Sequence, residues 1–293
     1  MFEFFEIDCL TYKTHRKYDT VIFDPPYGIG MNYEGEFNDS EEHFNENIGK
    51  WISDSIEKMS PSGSWFGFII GEKHYELYNL AIRSGLKWRR TLQWYYEFGQ
   101  NNTSNFTSLT TPILYMVKSD NFTWRKDAVK LPSARERYGD KRTKKQKAQM
   151  NTIITINERV VDVVKRHDPG TFFETLISYP RVMGNFRERA KFSPNQIPVE
   201  LLMRLISCTT EAGDWVYDPF AGSGSTAIAC HFLHRNCVLC DPHTTNKALE
   251  HIERYKKVFS EATRLPLEKD KEWTKNDTEL YYRNGRWGYS NSD

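Results

Sequence analysis

Trp215-Val216-Tyr217-Asp218-Pro219-Phe220-Ala221-Gly222-Ser223-Gly224-Ser225 reads as a short buried strand, a glycine loop and the start of a helix. Gly213-Asp214 turns into it, and a helix is expected from Thr226 to Leu233. Glycines at such a junction let the backbone turn tightly and approach a ligand with no Cβ in the way. The helix beyond offers unpaired N–H groups at its first turn. A second strand, Cys237 to Cys240, ends at Asp241, 17 residues after Gly224. An acid in that place can accept the two ribose hydroxyls of a nucleoside. Taken alone, the loop suits NAD, FAD or S-adenosylmethionine.

Working outward, the same strand-then-loop arrangement recurs near the start of the chain. Thr20-Val21-Ile22-Phe23 is an apolar run cut off by Asp24-Pro25-Pro26-Tyr27. Such a run suits a strand buried on both faces of a parallel sheet. The two prolines fix φ and remove two N–H donors, so the loop is stiff and its carbonyls face no local competition. A carboxylate, bare carbonyls and an aromatic face suit a flat heterocycle with an exocyclic amine. Tyr27 can stack on the ring while Asp24 and a carbonyl accept the two N–H bonds. An aromatic amine is a poor nucleophile because its lone pair is delocalised. Two acceptors that draw the nitrogen toward tetrahedral geometry localise that lone pair, so positioning and electrostatics carry the chemistry.

The remaining segments alternate. Strands are expected at Phe2 to Ile7, Trp65 to Ile70, Thr91 to Phe98 and Ile113 to Lys118, with a turn at Pro61-Ser62-Gly63. Helices are expected over residues 46–59, Tyr75 to Ser84, Val199 to Cys208 and Asn246 to Ala262, and Gly28 to Asn45 reads as a loop. The alternation argues for an α/β fold with a mostly parallel sheet.

The 293 residues suit one large domain or a domain with an insertion, and a net charge of +1 means that any nucleic-acid contact must be local. Arg125 to Lys147 supplies such a place, with ten Lys or Arg against three Asp or Glu. Lys141, Arg142, Lys144, Lys145 and Lys147 are the candidate phosphate contacts, and Arg135 and Arg137 the candidate base readers. Five cysteines form no short framework and read as free thiols. The acidic N-terminus lacks a signal sequence, and no apolar run approaches the ~20 residues of a membrane span. A cytoplasmic protein is expected. His231, His234, Cys237 and Cys240 recur every three residues, yet the cysteines sit three apart on a strand and so point to opposite faces. No metal site is expected. The aromatics of the last thirty residues read as a tail packed on the body.

The order of these motifs resembles the beta group of DNA amino-methyltransferases. In that group the catalytic loop (here Asp24-Pro25-Pro26-Tyr27) precedes the cofactor loop (here Asp218 to Ser225), with target recognition between them. Glu6-Ile7-Asp8-Cys9-Leu10 is similar to the family's acidic segment, and by that match Asp8 and Cys9 contact the cofactor adenine. Ser193-Pro194-Asn195-Gln196-Ile197-Pro198-Val199-Glu200-Leu201-Leu202 resembles the family's His-Pro-Thr-Gln-Lys-Pro segment, which lies against the cofactor, so Ser193, Asn195 and Gln196 join the site. Ser193 and Ile197 depart from the usual His and Lys, and Ser225 replaces a threonine. The resemblance covers residues 1–118 and 190–260.

It implies a doubly wound Rossmann-like sheet with a terminal antiparallel hairpin, a circularly permuted motif order and an inserted recognition region. Four parts follow: residues 1–120 (catalytic half), 121–190 (recognition insertion), 191–262 (cofactor half) and 263–293 (polar tail). S-adenosylmethionine is the implied cofactor, with Asp218, Phe220, Ala221, Gly222, Ser223, Gly224, Ser225, Asp241 and Asp24 around it. Double-stranded DNA is the implied partner, and the family allows a homodimer and a cognate restriction enzyme. Asp rather than Ser at position 24 points to adenine N6. Cytosine N4, an RNA adenine, or a binding subunit that kept the fold without the activity are the alternatives.

Overall fold

The computed structural model describes residues 1–31, 39–71, 73–96, 104, 108–128, 176–178, 181–182, 189–193, 195–262, 279–283 and 286–290. An eight-stranded sheet forms the centre. Its strands are β1 (Phe2–Phe5), β2 (Tyr18–Phe23), β3 (Met59–Phe68), β4 (Lys87–Tyr95), β5 (Thr110–Val117), β6 (Leu176–Ser178), β7 (Trp215–Asp218) and β8 (Asn236–Cys240), in the spatial order β1-β8-β7-β2-β3-β5-β4-β6. All neighbouring pairs are parallel except those made by β5 with β3 and β4. The sheet is therefore mixed and mostly parallel, of the doubly wound Rossmann-like kind.

Helices cover both faces. Glu41–Glu57 (α1) and Lys73–Arg83 (α2) pack on one side, where Phe44, Ile48, Trp51, Ile52, Leu77 and Ala81 meet Val21, Phe23, Trp65 and Val238. Val199–Ser207 (α3), Ser225–Phe232 (α4) and Thr245–Ala262 (α5) pack on the other, against Ile22, Phe66, Val216 and Leu239. This explains the unbroken apolar run in β2: with a layer on each face, Val21, Ile22 and Phe23 are all essentially inaccessible. The same alternation sends Cys237 into one core and Cys240 into the other. Among the described residues no helix is long and apolar enough to cross a membrane.

Four features differ from the sequence expectation. Pro61-Ser62-Gly63 is not a turn before a strand but an irregularity inside β3, whose pairing with β2 jumps from Tyr18–Met59 to Thr20–Ser64. A bulge accommodates a proline because the extra residues make no ladder bonds. Helix α1 begins at Glu41 rather than near 46, since Ser40 Oγ accepts the His43 N–H at 3.2 Å and Glu41 and Glu42 fill the first turn. The β4–β5 hairpin is not the sheet's end, because β6 adds to β4 as a parallel edge strand. The segment 263–293 contains an antiparallel hairpin, Glu279–Arg283 (β9) and Arg286–Ser290 (β10), that its polar composition hid.

Candidate active site

Strands β2 and β7 are neighbours, and their chains leave toward opposite sides of the sheet. Such a switch point opens a crevice beyond the strands' carboxyl ends. Asp24-Pro25-Pro26-Tyr27 leaves the end of β2 there, and Asp218-Pro219-Phe220 leaves the end of β7. Two segments separated by nearly two hundred residues thus line one cavity of about 150 Å³. The cavity wall includes all four residues of the first loop. From the second half it takes Ser193, Asn195 and Gln196, then Asp218, Phe220, Ala221, Gly222, Ser223 and Ser225, and finally Asp241.

Asp24 opens on the cavity but is otherwise ringed by protein. Desolvation pushes its carboxyl up to about 7, against an opposing hydrogen bond from the Tyr27 hydroxyl, with the Asp218 charge adding to the rise. Asp218 is 4% exposed, and desolvation pushes it up to about 6. Its carboxylate accepts Thr226 Oγ–H at 2.5 Å and the Phe220 N–H at 3.0 Å, which pull the other way. Removing the hydroxyl leaves a desolvated oxygen without a partner. Thr226→Ala is expected to cost about 2 kcal/mol, read as a lower thermal midpoint at pH 8, with a smaller loss below pH 5, where Asp218 is protonated.

The glycine loop is held from three directions. Gly222 has φ +46° and donates its N–H to Asp241 Oδ2 at 3.0 Å. Asp241 Oδ1 accepts the His243 and Thr244 N–H groups at 2.8 and 2.7 Å, and Thr244 Oγ donates to the Gly222 carbonyl at 2.8 Å. A carboxylate has about four acceptor positions, so Asp241 retains capacity for a ligand hydroxyl. From the helix α5 side, His251 Nδ1–H donates to the Ser223 carbonyl at 2.8 Å. From the chain before α3, Gln196 Nε2 donates to Ser225 Oγ at 3.2 Å while its Oε1 accepts the Ala190 N–H at 2.7 Å. Phe220 stands edge-on to Phe23 and Trp51, both at 5.2 Å, so β2 and α1 buttress an aromatic wall that leaves β7.

Three expected site residues lie elsewhere. Asp8 is exposed and accepts the Leu10 N–H at 2.7 Å, whereas Cys9 is 3% exposed in the core, and neither lines the cavity. Gly224 is turned to the helix α5: a Cβ there would lie 2.8 Å from Ile252 Cδ1. Arg135, Arg137, Lys141, Arg142, Lys144, Lys145 and Lys147 fall outside the described residues. The cavity also takes residues that sequence reading missed, among them Phe192, Thr226 and His243. No local pattern marks them, because they reach the wall from different elements. Ile197, at the usual lysine position, lines the cavity and joins the core on the α3 side.

These residues fit S-adenosylmethionine. The glycine loop leaves open space where a Gly222 Cβ would stand, its nearest neighbours being Phe220 O and Ser193 Oγ at 3.9 Å. The cavity wall carries three carboxylates, Asp24, Asp218 and Asp241, the kind of acceptor that the charged and hydroxyl groups of that cofactor need.

Residues 18–254 match the model of the N6/N4 DNA methylase family. The type II methyltransferase M.HpaI of Haemophilus parainfluenzae is 26% identical over 229 residues, covering 76% of this chain and 63% of that protein. The chain thus spans less than two thirds of that relative's length. The DNA adenine methyltransferase YhdJ of Escherichia coli is 28% identical over 221 residues, covering 72% of this chain and 68% of that one. Among solved structures, the M1.HpyAVI–SAM complex superposes with a TM-score of 0.53 at 20% identity, covering 88% of this chain and 98% of that one. That likeness concerns the fold.

Proposed function

The chain belongs to the N6/N4 DNA methylase family, and from that premise we propose that it methylates N6 of adenine in DNA with S-adenosylmethionine as donor. The observation that carries this reading is the convergence of Asp24-Pro25-Pro26-Tyr27 and Asp218 to Ser225 on one cavity from adjacent parallel strands. The first loop has the acceptors an exocyclic amine needs, and the second has the glycine turn and acids a nucleoside cofactor needs. The motif order resembles that of the beta group. The target base leaves the helix stack to enter the cavity, since no duplex base presents its amine to a recessed carboxylate.

Bound S-adenosylmethionine supplies a methyl group on a positively charged sulfur. Asp24 and the Pro25 carbonyl accept the two N–H bonds of the amine and draw its nitrogen toward tetrahedral geometry. Tyr27 stacks on the ring. With no base present, the Tyr27 hydroxyl donates to Asp24, so the incoming amine replaces it as donor. A carboxyl pushed to about 7 is also basic enough to hold the proton that the amine releases. Phe220, Gly222 and Asp241 hold the cofactor, and double-stranded DNA is the macromolecular partner through the basic segment Arg125 to Lys147.

The family model spans N6 and N4 enzymes, and the same acceptor pair would serve cytosine N4. Asp24, where the resemblance associates Ser with cytosine, favours adenine. The test is mass analysis of nucleosides after incubating the protein and S-adenosylmethionine with unmethylated DNA and with RNA. N6-methyladenine in DNA alone is the expected product. N4-methylcytosine would replace the adenine reading, methyladenine in RNA alone would replace the DNA reading, and no product from either would support an inactive subunit.

A further inference from the structure

Asp39 belongs to none of the motifs above, yet it organises the chain that follows the catalytic loop. Its side chain is 4% exposed. Oδ1 accepts the Gly28 N–H at 2.7 Å, and Oδ2 accepts the Met31 N–H at 2.9 Å and the Ile29 N–H at 3.4 Å. Its carbonyl accepts the Gly30 N–H at 2.8 Å. Four successive N–H groups directly after Tyr27 therefore point at one residue. Gly28 and Gly30 have φ of +65° and +70°, which curls this segment around the carboxylate. The curl also presses Gly28 onto α1, where a Cβ would stand 2.7 Å from Phe44 Cβ. Asp39 directly precedes Ser40, the residue that caps α1, so the carboxylate ties the loop to a rigid element.

We infer that Asp39 is a positioning residue for methyl transfer: its carboxylate gathers the N–H groups of Gly28, Ile29 and Met31 and so fixes where Tyr27 and Asp24 stand. The inference rests on the methyltransferase reading. Its physical basis is that transfer to an amine needs the acceptors within a few tenths of an ångström of one geometry, and a displacement of about 1 Å can cost about 100-fold in rate. Asp39 lines no part of the cavity, so its effect falls on the catalytic loop and not on cofactor affinity. Asn at this position keeps one acceptor for Gly28 but turns donor hydrogens toward Met31.

The experiment compares wild type, Asp39→Ala and Asp39→Asn for tritiated methyl transfer to unmethylated genomic DNA amplified in vitro, for S-adenosylmethionine Kd, and for amide hydrogen exchange over residues 24–31. For Asp39→Ala we expect a fall in kcat of about 100-fold, with the S-adenosylmethionine Kd within threefold of wild type. Its exchange at Gly28, Ile29 and Met31 should be at least about tenfold faster, and Asp39→Asn should lie between it and wild type. A kcat within threefold of wild type, or a loss of cofactor affinity in parallel with kcat, overturns the inference. Should Asp39→Ala not fold, the same criteria apply to Asp39→Asn. Should wild type methylate nothing, the functional reading fails by itself. The exchange data then decide whether Asp39 orders the loop, and unchanged protection at Gly28, Ile29 and Met31 would overturn that as well.

Discussion

Asp24→Asn is expected to abolish methyl transfer while making the protein more stable at neutral and alkaline pH. The activity loss follows from the acceptor geometry. An amide turned either way offers a single oxygen, keeps no charge and has no basic site for a proton, so a fall in kcat on the order of a thousandfold is expected. Cofactor affinity, measured by calorimetry, should change little, because Asp241 and the glycine loop are untouched.

The stability gain follows from the shifted carboxyl. Asp24 titrates near 3.8 in an unfolded chain and at about 7 in the folded one. Between those values the folded protein holds a proton that the unfolded chain releases. Stability therefore falls as pH rises from about 4 to about 7 and stays reduced above that. The full shift corresponds to about 4 kcal/mol. The carboxyl opens on the cavity, so the realised gain on neutralising it is smaller, about 1–3 kcal/mol. Thermal midpoints of Asp24→Asn and wild type should differ at pH 8 and converge near pH 4. The wild-type kcat/KM should rise with pH through about 7 as the carboxylate forms. A variant that is less stable than wild type at pH 8 would mean that Asp24 is held by attractive contacts rather than strained by desolvation.

Gly224→Ala is expected to lose about 3 kcal/mol of stability, through two mechanisms that add. The residue has φ +76°, a conformation that costs an L side chain roughly 1–2 kcal/mol. Its Cβ would also lie 2.8 and 3.0 Å from Ile252 Cδ1 and Cγ1 and 3.6 Å from Ala248 Cβ. Ile252 is fully buried and has no room to retreat, so overpacking adds about 1–3 kcal/mol. Chemical denaturation should show a lower midpoint with little change in slope, and Ile252→Val in the same chain should restore part of it. Gly222→Ala makes the contrast. Its φ is +46° and its Cβ would meet nothing closer than 3.9 Å, so the fold should survive with a loss of about 1–2 kcal/mol. The new methyl group enters the space between the loop and Ser193 Oγ, so S-adenosylmethionine binding should fail there first. If the two variants behaved alike in both assays, the division of labour between the glycines would be wrong.

That division shows how far the chain could be read unaided. The glycine loop is visible as a pattern, and so are its place between a strand and a helix and the acid 17 residues on. The pattern does not say which glycine borders the cavity and which faces α5, because that depends on how close a helix formed later in the chain comes to rest. Asp39 is the sharper case. Asp39-Ser40 reads locally as a turn before a helix, and nothing near it reports that four N–H groups from Gly28 to Met31 will converge on it. Cys9 differs in the other direction: a motif match places it at the cofactor adenine, while packing with Tyr12, Tyr18 and Tyr217 in one cluster puts its side chain in the core.

Residue chemistry and spacing were sufficient for the alternating α/β architecture, for a stiff loop of acceptors at Asp24 and for a cofactor-type turn at Asp218. Those properties reside in short stretches whose conformational preferences and side-chain groups act over a few residues. The union of the two loops in one cavity, the raised carboxyls of Asp24 and Asp218, and the seating of Phe220 against Trp51 needed the assembled sheet. Each of them arises from desolvation or contact between segments far apart in the chain, and only the pairing of β2 with β7 brings those segments together.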